Sequence, residues 1–170
     1  MRVAILLLAL GSAPCASAHV PSAEGADGAV RDAAGRQVAQ AGIMQDGPNL
    51  RVGLHVTTMR RGTYAVHLHD VGRCDGPAFE SAGGHWNPAA REHGRDNPRG
   101  AHGGDLPNLV IGANGMGDLR FTIPNARLNG GPHALQDANG VAIVIHAAPD
   151  DYRTDPSGNS GARIACGILR

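Results

Sequence analysis

From Leu50 to Thr57 the chain alternates apolar and polar positions. Leu50, Val52, Leu54 and Val56 fall on one side, with Arg51, Gly53, His55 and Thr57 on the other. That two-residue period predicts a half-buried β-strand. Turn sequences bracket it, Asp46-Gly47-Pro48-Asn49 before and Arg60-Arg61-Gly62 after. Ala29–Arg31 and Gln37–Gln45 read as earlier strands and Thr63–Asp70 as the next one. Leu109–Ala113, Asp118–Ile123, the β-branched run Val141–Ile145 closing at His146, and Ala162–Ile168 complete the set. No segment joins a helix cap to an apolar stripe, and the glycines show no collagen-like period. About eight short strands separated by turns predict an all-β sandwich or barrel.

Two stretches keep no period, Val71–Asp105 and Ala147–Gly161, and they are predicted to meet at one side of the barrel. A structureless loop as long as the first is compatible with a compact domain only if something else orders it. A bound metal and a disulfide at Cys74 would do so.

Composition narrows the function classes. Met1-Arg2, the apolar run Val3–Leu10 and the small residues Ala16-Ser17-Ala18 form a secretory signal peptide, residues 1–18. Cleavage after Ala18 leaves one domain, residues 19–170, with no further segment of transmembrane length, so an exported protein off the membrane is expected. Cleavage also removes Cys15 and leaves Cys74 and Cys166, an even pair in a compartment where disulfides persist. Their bridge would close a loop of about 90 residues, worth up to roughly 4–5 kcal/mol. The formal charge is zero, every basic residue is Arg, and aromatics are only 3% of the chain. Nothing resembles a basic stripe interleaved with aromatics, which excludes a nucleic-acid partner.

The candidate chemistry lies in the histidines. His67, His69, His85, His93 and His102, closed by Asp105, gather within one stretch, and His146 stands apart. Nitrogen donors at this density beside a carboxylate point to transition-metal binding. His67 and His69 are two apart on a predicted strand, so both leave one face, while Val66 and Leu68 turn to the core. His146 ends its strand in the same way. The expectation is three exposed strand histidines for one ion, and His85, His93, His102 and Asp105 for another. Four nitrogens in a flattened set suit Cu(II), whereas three imidazoles and a carboxylate suit tetrahedral Zn²⁺. The strand set is one nitrogen short unless a loop histidine is shared, and the spacing does not say which. His19 is a weak metal candidate at the expected mature N-terminus. His55, Asp70 and Glu92 read as solvated, His133 as a loop residue without a role, and Trp86 as packing under the loop.

The ordered motifs Val66-His67-Leu68-His69, Gly83-Gly84-His85-Trp86-Asn87-Pro88, His93-Gly94, His102-Gly103-Gly104-Asp105, Val144-Ile145-His146 and Gly161-Ala162-Arg163-Ile164-Ala165-Cys166-Gly167 resemble the copper/zinc superoxide dismutases, in their bacterial exported, periplasmic or secreted form. The resemblance covers about residue 30 to 168. It implies an eight-stranded antiparallel Greek-key β-sandwich or barrel with a metal loop and an electrostatic loop. It implies copper on His67, His69, His85 and His146, and zinc on His85, His93, His102 and Asp105, with His85 bridging as an imidazolate. Arg163 would draw in superoxide, Asp150 would bond one copper histidine and one zinc histidine, and the Cys74–Cys166 disulfide would hold the loop near Arg163. The implied activity is dismutation of superoxide to O₂ and hydrogen peroxide by a monomer or homodimer. A metal-buffering or delivery protein of the same fold, without turnover, is the alternative. The chain departs from the family before His67, where the common Gly-Phe is missing. It also has no lysine to steer the anion.

Overall fold

The computed structural model describes residues 24–131 and 133–170; the expected signal peptide and His19 lie outside the described residues. The described fold has nine strands: β1 Gly25–Asp32, β2 Gln37–Asp46, β3 Asn49–Val56, β4 Gly62–Tyr64, β5 Val66–His69, β6 Leu109–Ile111, β7 Gly117–Ile123, β8 Val141–His146 and β9 Arg163–Leu169. One short 3-10 turn, Glu80–Ala82, is the one helical element among the described residues. Seven strands form a single antiparallel sheet in the order β5-β8-β9-β1-β2-β3-β7, and β4 pairs with β6. β4 runs almost directly into β5, and β6 lies beside β7, so the small pair closes the curled sheet on itself. The expectation of an all-β antiparallel fold holds.

The predicted strand Thr63–Asp70 is two strands. It breaks at Ala65, whose N–H donates to the Ala148 carbonyl while its own carbonyl accepts the His146 N–H. The chain turns a barrel corner there, leaving β6 as partner and taking up β8. A period of two continues through such a corner unbroken, so the sequence pattern does not register it.

β3 shows the alternation of a strand with one wet face: Leu50, Val52, Leu54 and Val56 are buried and Arg51 and His55 exposed. β8 differs. All six of its residues are buried, because it lies between β5 and β9 and is covered on both faces. Val141, Ile143 and Ile145 enter the main core with Val66 and Leu68. Ala142 and Val144 face the other way, into a smaller cluster with Phe79, Ala82 and Cys166. This second cluster is where the long loop docks on the barrel. Cys74 packs against it and is bonded to Cys166, 92 positions away, with Cα atoms 5.7 Å apart.

The loop is further ordered along the free edge of β5. Leu68 N–H donates to the Gly104 carbonyl, Trp86 N–H to the Leu68 carbonyl, and Gly104 N–H to the Trp86 carbonyl. Isolated bridges pair His67 with Asp105 and His69 with His85. Two pieces of loop thus satisfy an edge strand that would otherwise expose its backbone groups. They also bring the loop side chains over those of β5.

Candidate metal centre

β5 projects His67 and His69 to one side, and β8 delivers His146 beside them. The expectation that these three are exposed is corrected: His67 and His69 are 0% exposed and His146 3%, because the loop lies over them. One ligand atom from each of His67, His69, His85 and His146 falls within a group no wider than 4.8 Å. A β-bulge between Ile145 and His146 sets Arg163, the first residue of β9, opposite His146. Bulges re-aim side chains beside functional sites.

The hydrogen bonds decide which nitrogen of each ring carries a proton. His69 Nδ1 lies 3.0 Å from the Gly83 carbonyl and His146 Nδ1 3.2 Å from that of Gly161. A carbonyl only accepts, so Nδ1 holds the hydrogen in both rings, and Nε2 presents a lone pair. His67 Nε2 and His93 Nε2 each lie 2.9 Å from Asp150, on Oδ2 and Oδ1 respectively. In these two rings Nε2–H donates and Nδ1 presents the lone pair. The four nitrogens so defined are His67 Nδ1, His69 Nε2, His93 Nδ1 and His146 Nε2. They are also the buried side-chain polar atoms without a hydrogen-bond partner among the described residues. A buried acceptor without a partner is costly; those of His67, His69 and His146 belong to one group, and that of His93 faces Asp105, an arrangement that fits Lewis acids.

A second cluster shares His85. The Nδ1 atoms of His85, His93 and His102 lie 2.9, 3.0 and 3.2 Å from Asp105 Oδ1. Asp105 Oδ2 accepts backbone N–H groups from Gly94 at 2.9 Å and His102 at 3.0 Å, which fixes the carboxylate. His67 also comes within 4.8 Å of His85, His93 and Asp105, since Asp150 ties its ring to that of His93. His85 commits Nδ1 to Asp105, which leaves Nε2 for the first group. Three imidazole nitrogens and one carboxylate oxygen match the donor chemistry of zinc, and the imidazole set that of copper.

Electrostatics agree with neutral ligands. Burial pulls His69 down to about 2, His146 to about 3 and His85 to about 4, and it lowers His67 as well. His93 is the exception. Burial alone would lower it, but the facing carboxylates of Asp105 and Asp150 outweigh that and lift it to about 9. Burial would raise Asp105 and Asp150, yet hydrogen bonds from the facing imidazoles hold both well below the usual carboxylate range. A histidine with a depressed folded pKa binds fewer protons folded than unfolded as pH falls below about 6.5, so its stability is lost in that direction. Four histidines act this way. His93 acts oppositely, losing its contribution as pH rises through about 9. Chelator-stripped protein should therefore lose denaturant resistance from about pH 6.5 toward 4; a flat midpoint over that range would contradict this assignment of neutral rings.

Arg163 donates to the Phe79 carbonyl at 2.8 Å and the Gly83 carbonyl at 2.7 Å. The Gly83 oxygen thus serves both Arg163 and His69. Gly158 closes the back of the site. Its φ of +64° suits glycine, and a Cβ there would sit 1.8 Å from Asp150 Oδ1. Sequence reasoning missed these supports. Backbone carbonyls have no residue signature, and Asp155, which accepts the His93 N–H at 2.7 Å, is one acidic residue among several in a loop without period.

The other residues singled out from the sequence lie away from the cluster or beneath it. Trp86 is buried beneath the loop. His55 is exposed and bonds Asp118 at 2.8 Å. His133 is exposed, Glu92 is held by Asn97 and Arg99, and Asp70 lies over Gly83.

A family model described as copper/zinc superoxide dismutase matches residues 37–169. Superoxide dismutase-like protein YojM of Bacillus subtilis is 45% identical over 126 residues, covering 73% of this chain and 64% of that protein. The chain therefore spans slightly under two thirds of that relative. Superoxide dismutase [Cu-Zn] 1 of Aquifex aeolicus is 38% identical over 138 residues, covering 80% of this chain and 82% of the relative. A crystal structure of a SOD-like protein from Bacillus subtilis superposes with a TM-score of 0.79 at 39% identity, covering 85% of this chain and 97% of that one. With the fold, the clustered donors and these matches together, the chain belongs to the copper/zinc superoxide dismutase family.

Proposed function

We propose that this protein is an exported superoxide dismutase. It would hold copper by His67, His69, His85 and His146, and zinc by His85, His93, His102 and Asp105. The observation that carries this reading is the set of buried lone-pair nitrogens of His67, His69 and His146, each with its tautomer fixed from behind, with Arg163 opposite His146 on the neighbouring strand. When bound, copper supplies one-electron cycling that oxidises one superoxide to O₂ and reduces a second to hydrogen peroxide, while zinc supplies charge without redox chemistry. The residues do the rest.

Arg163 keeps its charge at any working pH and presents a donor fork to a small anion. Its two carbonyl bonds hold the guanidinium in place before substrate arrives, so little ordering remains to be done. His85 has a nitrogen in each cluster. Forming hydrogen peroxide takes two protons: His85 Nε2 could take one from solvent and pass it to the product while Nδ1 keeps the ring in position, and solvent would supply the other. Asp150 binds one ring of each cluster, so a shift in one is felt in the other. The disulfide and the signal-peptide sequence support export to an oxidising compartment, the periplasm in a bacterium.

The test is superoxide decay by purified protein, before and after chelation, beside elemental analysis. Decay that chelation abolishes and copper restores is the expected result. Protein that binds both metals yet leaves superoxide decay at the buffer rate would be a buffering or delivery protein instead. Arg163→Ala should slow decay by about tenfold or more at unchanged copper content, and weaken the salt dependence of the rate. Steering of this kind is a known trait of the family. Arg163→Lys, which keeps the charge, should retain more of the rate; an unaffected Arg163→Ala would remove the assignment.

A further inference from the structure

The three imidazoles around Asp105 differ in what faces their outer nitrogen. His93 Nε2 has Asp150 at 2.9 Å, and the outer nitrogen of His85 is left for the copper-side group. For His102 the facing group is Asp155, whose Oδ1 lies 3.9 Å from Nε2. The same oxygen accepts the backbone N–H of His93 at 2.7 Å. Asp155 belongs to the second long loop, yet one of its oxygens addresses two histidines of the first. The loops also interlock next to it: Asp96 N–H donates to the Tyr152 carbonyl, and the Arg95 guanidinium lies 3.8 Å over the Tyr152 ring.

A ligand histidine nearly always has a carboxylate, carbonyl or water at its second nitrogen, and that partner sets the tautomer and strengthens the donor. At 3.9 Å Asp155 is beyond a direct hydrogen bond to His102. Its charge still favours the tautomer with Nε2–H, which leaves the Nδ1 lone pair toward Asp105. We infer that Asp155 is a positioning residue for the zinc side, holding the His93 backbone by its hydrogen bond and the His102 ring by its charge. It would do for His102 what Asp150 does for His93. The inference rests on reading the Asp105 cluster as the zinc site.

Asparagine separates the two contacts, because its amide oxygen still accepts the His93 N–H while the charge facing His102 is gone. Full-length protein, stripped with a chelator, is titrated with zinc against a competing indicator. Separately it is titrated with cobalt(II), whose visible bands report ligand geometry. Asp155→Asn should weaken zinc binding about tenfold or more and shift the cobalt bands. Copper affinity and the unfolding midpoint of the stripped protein should stay at wild-type values. Asp155→Ala, which loses both contacts, should weaken zinc binding further. An Asp155→Asn protein with wild-type zinc affinity and cobalt bands overturns the inference, as does one whose zinc affinity, copper affinity and unfolding midpoint all fall together. If wild-type protein takes up neither zinc nor cobalt, the metal reading itself is lost, and the role of Asp155 with it.

Discussion

Replacing His85 by alanine is expected to abolish superoxide decay and to strip the protein of zinc on dialysis. In the proposed ligand sets His85 is the shared ring: Nδ1 lies 2.9 Å from Asp105, and the ring also belongs to the group with His67, His69 and His146. Alanine would leave the proposed copper side with three imidazoles and the proposed zinc side with two imidazoles and a carboxylate. Loss of a partner behind a ligand typically costs about 10–100-fold in affinity or activity, and loss of a ligand shared by two ions should exceed that. The measurements are superoxide decay and metal content of the same sample. His55→Ala is the control, since that ring is exposed and bonds only Asp118. Retention of both metals and of the rate in His85→Ala would end the shared-ring reading.

Cys166→Ser should have the largest effect on stability. The bond joins positions 92 apart, and the chain-entropy model puts a loop of that size at about 4–5 kcal/mol. It also pins the start of the long loop to β9 through the cluster of Phe79, Ala82, Ala142 and Val144. Arg163 lies three positions before Cys166, and both of its carbonyl partners belong to that loop. Unfolding in denaturant should shift to markedly lower concentration, and the superoxide rate should fall even where the protein remains folded. A midpoint that neither this substitution nor a reductant moves would show that β5 and the loop hold together without the bridge.

The strands were legible where one face is wet. Leu50, Val52, Leu54 and Val56 alternate with polar neighbours because β3 has solvent on one side. The β-branched run of β8 was also readable, though only as buried strand, since both of its faces are covered. The corner at Ala65 was not, because a strand changes partners there without changing its side-chain period. The exposure of His67, His69 and His146 was misjudged for a related reason. Alternation tells which residues leave a face together, but not that a loop distant in sequence will lie across that face. For Asp155 and the Gly83 carbonyl no signal was available, since one looks like any loop carboxylate and the other has no side chain.

Residue type and order by themselves determined an all-β chain, an even pair of cysteines and a crowd of nitrogen donors closed by a carboxylate, because those are local properties of the covalent chain. Which donors meet was decided only by tertiary structure. The edge of β5 draws the loop over His67 and His69, the bulge before His146 sets Arg163 opposite it, and Asp150 ties His67 to His93. Each of these joins residues far apart in sequence through backbone pairing or a buried hydrogen bond. Such contacts form only once the barrel has brought its two long loops to the same side.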